Sequence, residues 1–259
     1  MSGERLTEEV SSGLLQLGVL TPHATAGPER EFPAMAPGCV VNCVVRLADS
    51  ELAGTAPVLR ALTAQEVLDA AAERLPRDSL DAVAYASTTS AYVIGFDAET
   101  AMTARIAARL ALPMASTCAA AVRALHALGV ERLALIGAPW FTTELNDLGA
   151  RYFRDQVLEV VFCRSAALTQ DPSPAAASDW TLKHVPDKAE GIFIGGNGFR
   201  VAAAIDALET ALGRPVLTAN QVLLWDILAR THTPCEVKSY GRLFAHRPSA
   251  AQRDRSGLR

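Results

Sequence analysis

Ala82-Val83-Ala84-Tyr85-Ala86-Ser87-Thr88-Thr89-Ser90 decides how this chain reads, because an apolar run passes directly into four hydroxylated residues. A short, nearly continuous apolar run reads as a strand covered on both faces. Hydroxyls directly after it read either as the cap of a following helix or as donors to a ligand. Gly191-Ile192-Phe193-Ile194-Gly195-Gly196-Asn197-Gly198 repeats the design more than a hundred residues later, with glycines and an asparagine in the loop.

Working outward, further apolar runs predict strands over 14–20, 39–47, 133–136, 157–163 and 215–217, beside 82–86 and 191–194. Ala/Leu-rich stretches of helical spacing predict helices over 63–74, 98–110, 119–128, 144–155, 199–212 and 221–231. Gly129 and Gly213 supply stop signals. The repeated strand-then-helix order predicts an α/β chain with parallel sheet covered on both faces. A duplication is also legible, since the loop starting at Thr21-Pro22-His23 has a counterpart in Gly137-Ala138-Pro139-Trp140. Each half then contributes one loop after its first strand and one after its third. The stretch 171–178, punctuated by Pro and Ser, reads as a solvated loop or the start of a helix.

Composition narrows the function. Half of the 259 residues are hydrophobic, 20% are charged and the formal net charge is -4, which suits a globular protein and offers nucleic acid no basic field. Its few aromatics are not interleaved with Lys or Arg as a stacking platform requires. No apolar run reaches the roughly eighteen residues of a membrane span, and the first ten residues are polar and acidic, unlike a signal peptide. Five cysteines without C-x-x-C spacing form neither a disulfide framework nor a zinc site. A cytoplasmic, reduced protein with no metal, cofactor, nucleic-acid or membrane partner is expected.

Ligands of open parallel sheets gather outside the carboxyl ends of the strands, where helix starts offer free N–H groups to anions. The Ser87–Ser90 hydroxyls and the close approach allowed by the Gly195–Gly198 turn suit a small carboxylate. A plain cap and a plain tight turn are the competing readings of each loop taken alone. Neither G-x-G-x-x-G nor G-x-S-x-G occurs, so a nucleotide and a typical serine hydrolase are disfavoured.

The loops, together with Ala115-Ser116-Thr117, Leu125-His126-Ala127-Leu128-Gly129-Val130, Leu208 to Val216 and Thr218-Ala219-Asn220-Gln221, resemble the maleate isomerase and arylmalonate decarboxylase branch of the aspartate/glutamate racemase superfamily. The likeness spans nearly the whole chain, from Val19 to Phe244. It implies two similar parallel-sheet αβα lobes related by a pseudo-twofold axis, with the site in the cleft between them. Residues 1–115 with 226–245 are then expected in the first lobe, 116–225 in the second, and 246–259 as a flexible tail. The resemblance also implies one or two cysteines that move a proton beside a carboxylate, a tyrosine helping from the second lobe, and a homo-oligomer as an open option. Here the cysteine positions hold Ser87 and Gly196, and Trp140 stands near the tyrosine position.

A thiol titrates close enough to neutrality to exchange a proton; a serine needs a neighbouring base, and glycine offers no side chain. Chemistry by two opposed thiols is therefore excluded. The remaining catalytic candidates are His23, which titrates nearest neutral pH, Ser87, and Tyr92 as an oxyanion donor, each against a packing or local hydrogen-bonding role. Thr88, Thr89, Ser90, Trp140, Gly196 and Asn197 are the expected substrate-binding residues. Arg46 and Arg200 read equally as site residues or as structural charges, Glu29 as a cleft residue or, preferably, a helix-start carboxylate, and Cys118 as a helix-start thiol or, preferably, a small buried residue. Cys39, Cys43, Cys163 and Cys235 read as packing residues, and His126, His184, His232 and His246 as surface or structural ones. The expected activity is a cysteine-independent isomerase or lyase acting on a small carboxylic or dicarboxylic acid through an amide and hydroxyl oxyanion site. A catalytically silent carboxylate-binding protein is the alternative, and a hydrolase using Ser87 with His23 is weaker because no orienting acid is identifiable.

Overall fold

The computed structural model describes residues 14–47 and 54–246. Along it run β1 (Leu15–Thr21), α1 (Pro28–Met35), β2 (Cys39–Arg46), α2 (Ala56–Leu62), α3 (Gln65–Glu73), β3 (Ala82–Tyr85), α4 (Thr88–Ile94), α5 (Phe96–Leu110), β4 (Met114–Ser116) and α6 (Thr117–Ala127). The second half adds β5 (Arg132–Gly137), α7 (Thr143–Arg154), β6 (Glu159–Ser165), α8 (Pro174–His184), β7 (Gly191–Ile194), α9 (Ile205–Leu212), β8 (Val216–Thr218) and α10 (Ala219–Arg230). The strands form two parallel sheets ordered β2-β1-β3-β4 and β6-β5-β7-β8. Every residue of β3 and β7 is buried, as interior strands flanked by helices must be.

The duplication holds at the level of register. Leu17 pairs with Ala82 and Leu20 with Tyr85 in one sheet; Leu133 pairs with Gly191 and Ile136 with Ile194 in the other. The outer pairings slip by one residue at matching places, between Leu17 and Gly18 and between Leu133 and Ala134. Counting on from Tyr85 and Ile194, Ser87 is equivalent to Gly196 and Thr88 to Asn197. Through the pairs Tyr85–Ser116 and Ile194–Thr218, Cys118 is equivalent to Asn220.

All seven strands expected from sequence form, shifted by up to two residues at their ends, but four helices and a strand escaped the pattern. Strand β4 has only three residues, α2 and α4 are too short for two full turns of apolar periodicity to show, and α1, barely two turns long, carries Pro33 inside it. The stretch 171–178 resolves as a helix start, with the Ser173 hydroxyl accepting from the Ala176 amide at 3.2 Å. The expected helix 199–212 begins only after a 3-10 turn at Ala202–Ala204. Its first residues are drawn aside by Arg200, which donates to the Ala26 carbonyl at 2.7 Å and to the Asp171 carboxylate at 2.6 Å.

Helix α10 links the cores. Leu223, Leu224, Ile227 and Leu228 pack with Leu15, Leu17 and Val19 of the first sheet, while Val222 and Trp225 join the core of the second. The division expected at 225/226 thus falls inside one unbroken helix. No helix among the described residues is long and apolar enough to cross a membrane. The polar N-terminus and nearly all of the expected tail lie outside the described residues.

Candidate active site

Ends of β3 and β7 bring the two quoted loops into direct contact. Ser87 caps α4: its hydroxyl accepts from the Ser90 amide at 3.2 Å and donates to the Ser90 hydroxyl at 2.8 Å, with both residues fully buried. Across from it, Gly196 adopts φ +109°, a backbone state that glycine reaches without strain. Its amide donates to the Thr88 hydroxyl at 3.0 Å.

The Asn197 carboxamide fills the space between the loops. Its Oδ1 accepts from the Thr88 amide at 3.1 Å and the Thr88 hydroxyl at 3.2 Å, and lies 3.2 Å from the Thr117 hydroxyl. Its Nδ2 donates to the Asn220 side-chain oxygen at 2.9 Å and to Thr117 Oγ1 at 3.1 Å. Three donors can therefore converge on one oxygen in a buried place. This is the arrangement an oxyanion site requires, and a side chain of the protein occupies it.

Asn220 carries the network to a charge. Its Nδ2 donates to the Asn197 carbonyl at 2.9 Å and to Glu31 Oε2 at 2.7 Å, while the Ala202 amide donates to Glu31 Oε1 at 2.9 Å. Burial pushes the Glu31 carboxyl up to about 7, outweighing these hydrogen bonds, which favour the charged form. The loop after β1 closes over the same place: a Cβ on Gly27 would lie 1.9 Å from the Asn197 carbonyl oxygen.

The other expected residues fall into distinct settings. His23 lies partly exposed in the loop after β1, its amide donating to the Thr21 hydroxyl at 3.2 Å, and burial of the ring lowers its pKa to about 4. Its imidazole is therefore neutral at pH 7, and it is not among the partners of Ser87. The Ser87–His23 dyad that a hydrolase needs does not form, because Ser90 holds the Ser87 hydroxyl. Thr89 is buried and its hydroxyl has no partner among the described residues. Tyr92 sits in an aromatic cluster with Phe141, Tyr152 and Phe153, its buried hydroxyl likewise without a partner and its pKa raised well above the ordinary range by burial. Trp140 is 40% exposed and edge-on to Phe141 and Phe199.

Residues with two readings resolve towards structure. Arg46 and Glu29 pair with each other at 2.5 Å and brace the His23 loop through the Ala24 carbonyl and the Gly27 amide. Cys118 is fully buried, donates its Sγ–H to the Thr88 carbonyl at 3.5 Å, and has its thiol pushed far up by burial, the opposite of an activated thiol. Among the described residues, no three of His, Cys, Asp or Glu converge as a metal shell would.

Glu31, Asn220, Thr117 and Glu99 were not singled out from sequence. Thr117 and Asn220 lay in stretches that resemble the family, and their places directly after short strands were the usable signal. Glu31 looked like one more acidic residue in the first turn of a helix. Glu99 is fully buried, accepts from the Cys118 amide at 3.2 Å and the Ala119 amide at 3.3 Å, and bonds the Tyr152 hydroxyl.

Comparison with known proteins agrees with this architecture. The family model described as arylmalonate decarboxylase matches residues 61–244. An arylmalonate decarboxylase from Bordetella bronchiseptica is 27% identical over 182 residues, spanning 67% of this chain and 75% of that protein. The structure of an unliganded arylmalonate decarboxylase superposes with a TM-score of 0.75 at 23% identity, covering 89% of this chain and 99% of the other. A maleate isomerase from Pseudomonas putida S16, solved with maleate, gives a TM-score of 0.74 at 19% identity over 90% of this chain and 98% of the other.

Proposed function

This chain belongs to the arylmalonate decarboxylase family, in the branch of the aspartate/glutamate racemase superfamily that includes maleate isomerase, and from that premise we propose that it acts on a small carboxylic or dicarboxylic acid without a catalytic thiol. Its named relatives are enzymes, which supports an isomerase- or decarboxylase-type activity. The relatives' substrates, arylmalonate and maleate, share a carboxylate next to the reacting carbon. Loss of carbon dioxide from a malonate leaves negative charge on the oxygens of the remaining carboxylate, and donors already aimed at one of those oxygens stabilise it.

The observation that carries this reading is the convergence of the Thr88 amide, the Thr88 hydroxyl and the Thr117 hydroxyl on a single oxygen. A substrate carboxylate oxygen takes that position, with Thr89, Ser90 and the Gly196 turn beside it and Trp140 as a further contact. Ser87 shapes the loop through Ser90. His23, neutral at pH 7, is the candidate proton carrier, and the Tyr92 hydroxyl a reserve donor behind Gly195. The route needs no cofactor.

The test is to incubate the protein with phenylmalonate and with maleate and follow products by NMR, for the natural chain and for His23→Ala. Turnover that disappears in H23A while malonate still binds supports the reading; full turnover in H23A removes His23 from the chemistry. A second reading, a catalytically silent carboxylate binder, is favoured by the Asn197 carboxamide that fills the oxygen position. Malonate binding without turnover of either acid would select it.

A further inference from the structure

Donor and acceptor chemistry fixes the buried chain Glu31–Asn220–Asn197–Thr88 from both ends. A carboxylate can only accept, so Glu31 draws the donating end of Asn220 towards it and turns the Asn220 oxygen to Asn197. Asn197 must answer with Nδ2, which aims its own oxygen at Thr88. From the other end, the Thr88 amide can only donate, so it too demands Oδ1 of Asn197. Glu31 is at the far end of this chain, on α1, and belongs to none of the loops that surround the oxygen position.

Resting on the carboxylate reading above, we infer that the chain carries its own stand-in for the ligand: Asn197 Oδ1 occupies the carboxylate-oxygen position, Glu31 acts through Asn220 as the positioning residue that holds it there, and a ligand reaches the Thr88 donors by displacing this carboxamide. Binding is then weakened by the fraction of time the stand-in is seated. The register equivalence of Thr88 and Asn197 explains why one residue can reach the other. The duplicated loops face each other, and a side chain in one meets the donors of its counterpart.

Glu31 also makes the stand-in sensitive to pH. The groups that face it from other elements are Arg200, Asp171 and Tyr240. Its carboxyl titrates at about 7. Once protonated it can donate as well as accept, so the Glu31 end no longer imposes the Asn220 orientation; the Thr88 amide and the Asn197 carbonyl still favour it, and the hold on the Asn197 carboxamide is loosened.

Malonate titrated by calorimetry into the natural chain, Asn197→Ala, Glu31→Gln and the double variant tests this, alongside hydrogen exchange of the Thr88 amide. Removing the stand-in should tighten malonate binding at least about tenfold in N197A and less in E31Q, with the double variant no tighter than N197A. Malonate should bind the natural chain more tightly at pH 6.5 than at pH 8.5, roughly several-fold, and this difference should vanish in N197A. Equal or weaker binding by N197A would overturn the stand-in. Equal Thr88 protection in the natural chain and N197A would overturn it as well. If Thr88 is protected in the natural chain and exposed in N197A, but malonate binds none of the four proteins, the carboxylate reading is the one that falls.

Discussion

Thr88 and Asn197 occupy equivalent positions in the two halves of the chain, and the amide of the first donates to the side chain of the second at 3.1 Å. Equivalent residues of a duplicated fold meet in this way only near the axis relating the halves. That contact therefore lies close to this axis, and both residues are buried there. Cys118 and Asn220, also equivalent, make matching contacts, each donating from its side chain to the carbonyl of the loop in its own half: Cys118 to Thr88 and Asn220 to Asn197. What distinguishes the halves is chemistry. One supplies hydroxyls and a thiol, the other two carboxamides tied to a carboxylate.

Removing the Asn197 carboxamide leaves the buried Thr88 amide and the Asn220 oxygen without their partners. Asn197→Ala should cost about 2 kcal/mol of stability, moderated by any water that enters. Urea denaturation measures it, and a loss below about 0.5 kcal/mol would show that the network contributes little to the fold.

Stability should depend on pH through two opposing groups. The folded pKa of Glu31 is raised from 4.5 to about 7, so its contribution is fullest below 4.5 and is lost as pH rises through 7. The loss amounts to about 3 kcal/mol at most. His23 has its pKa lowered from 6.5 to about 4, so its contribution is full above 6.5 and is lost as pH falls through 4. The two partly cancel between pH 4.5 and 6.5. In Glu31→Gln, stability should rise with pH across that window relative to the natural chain; in His23→Ala it should fall. Identical pH profiles for both variants, followed by denaturation at constant ionic strength, would contradict both shifts.

Tyr92→Phe removes a buried hydroxyl that has no partner among the described residues. Thermal unfolding should be unchanged or slightly improved, within about 0.5 kcal/mol, because no hydrogen bond is lost. A loss above about 1 kcal/mol would reveal a partner for this hydroxyl. Turnover lost in an otherwise stable variant would place the hydroxyl in the reaction.

Gly27→Ala places a methyl group against the Asn197 carbonyl oxygen, a backbone atom that cannot swing aside. The substitution should cost about 2 kcal/mol or more, or dislodge the His23 loop from Asn197. A variant with the melting temperature of the natural chain would show that the loop does not lie this close to Asn197.

Much of the fold was legible because its strands are short apolar runs that end abruptly in Gly, Ser and Thr. The 82–90 and 191–198 stretches told both where the interior strands lie and where their loops meet. Elements too short for periodicity, such as β4 and α4, were not legible. In the site, the loop residues around Thr88 and Asn197 could be named from sequence, and they do come together. Their mutual hydrogen bonding could not, because whether Asn197 faces a ligand or its counterpart loop depends on packing across the chain. Glu31 escaped for the same reason: Pro28-Glu29-Arg30-Glu31 looks like any acidic helix start, and only the fold buries one of its two glutamates against Asn220.

The most direct test is a crystal structure of the protein grown with malonate. A carboxylate oxygen should lie about 3 Å from the Thr88 nitrogen, with the Asn197 carboxamide turned away and Asn220 still on Glu31. Malonate seated elsewhere, with the Asn197 oxygen unmoved on Thr88, would contradict the assignment of this place to the substrate.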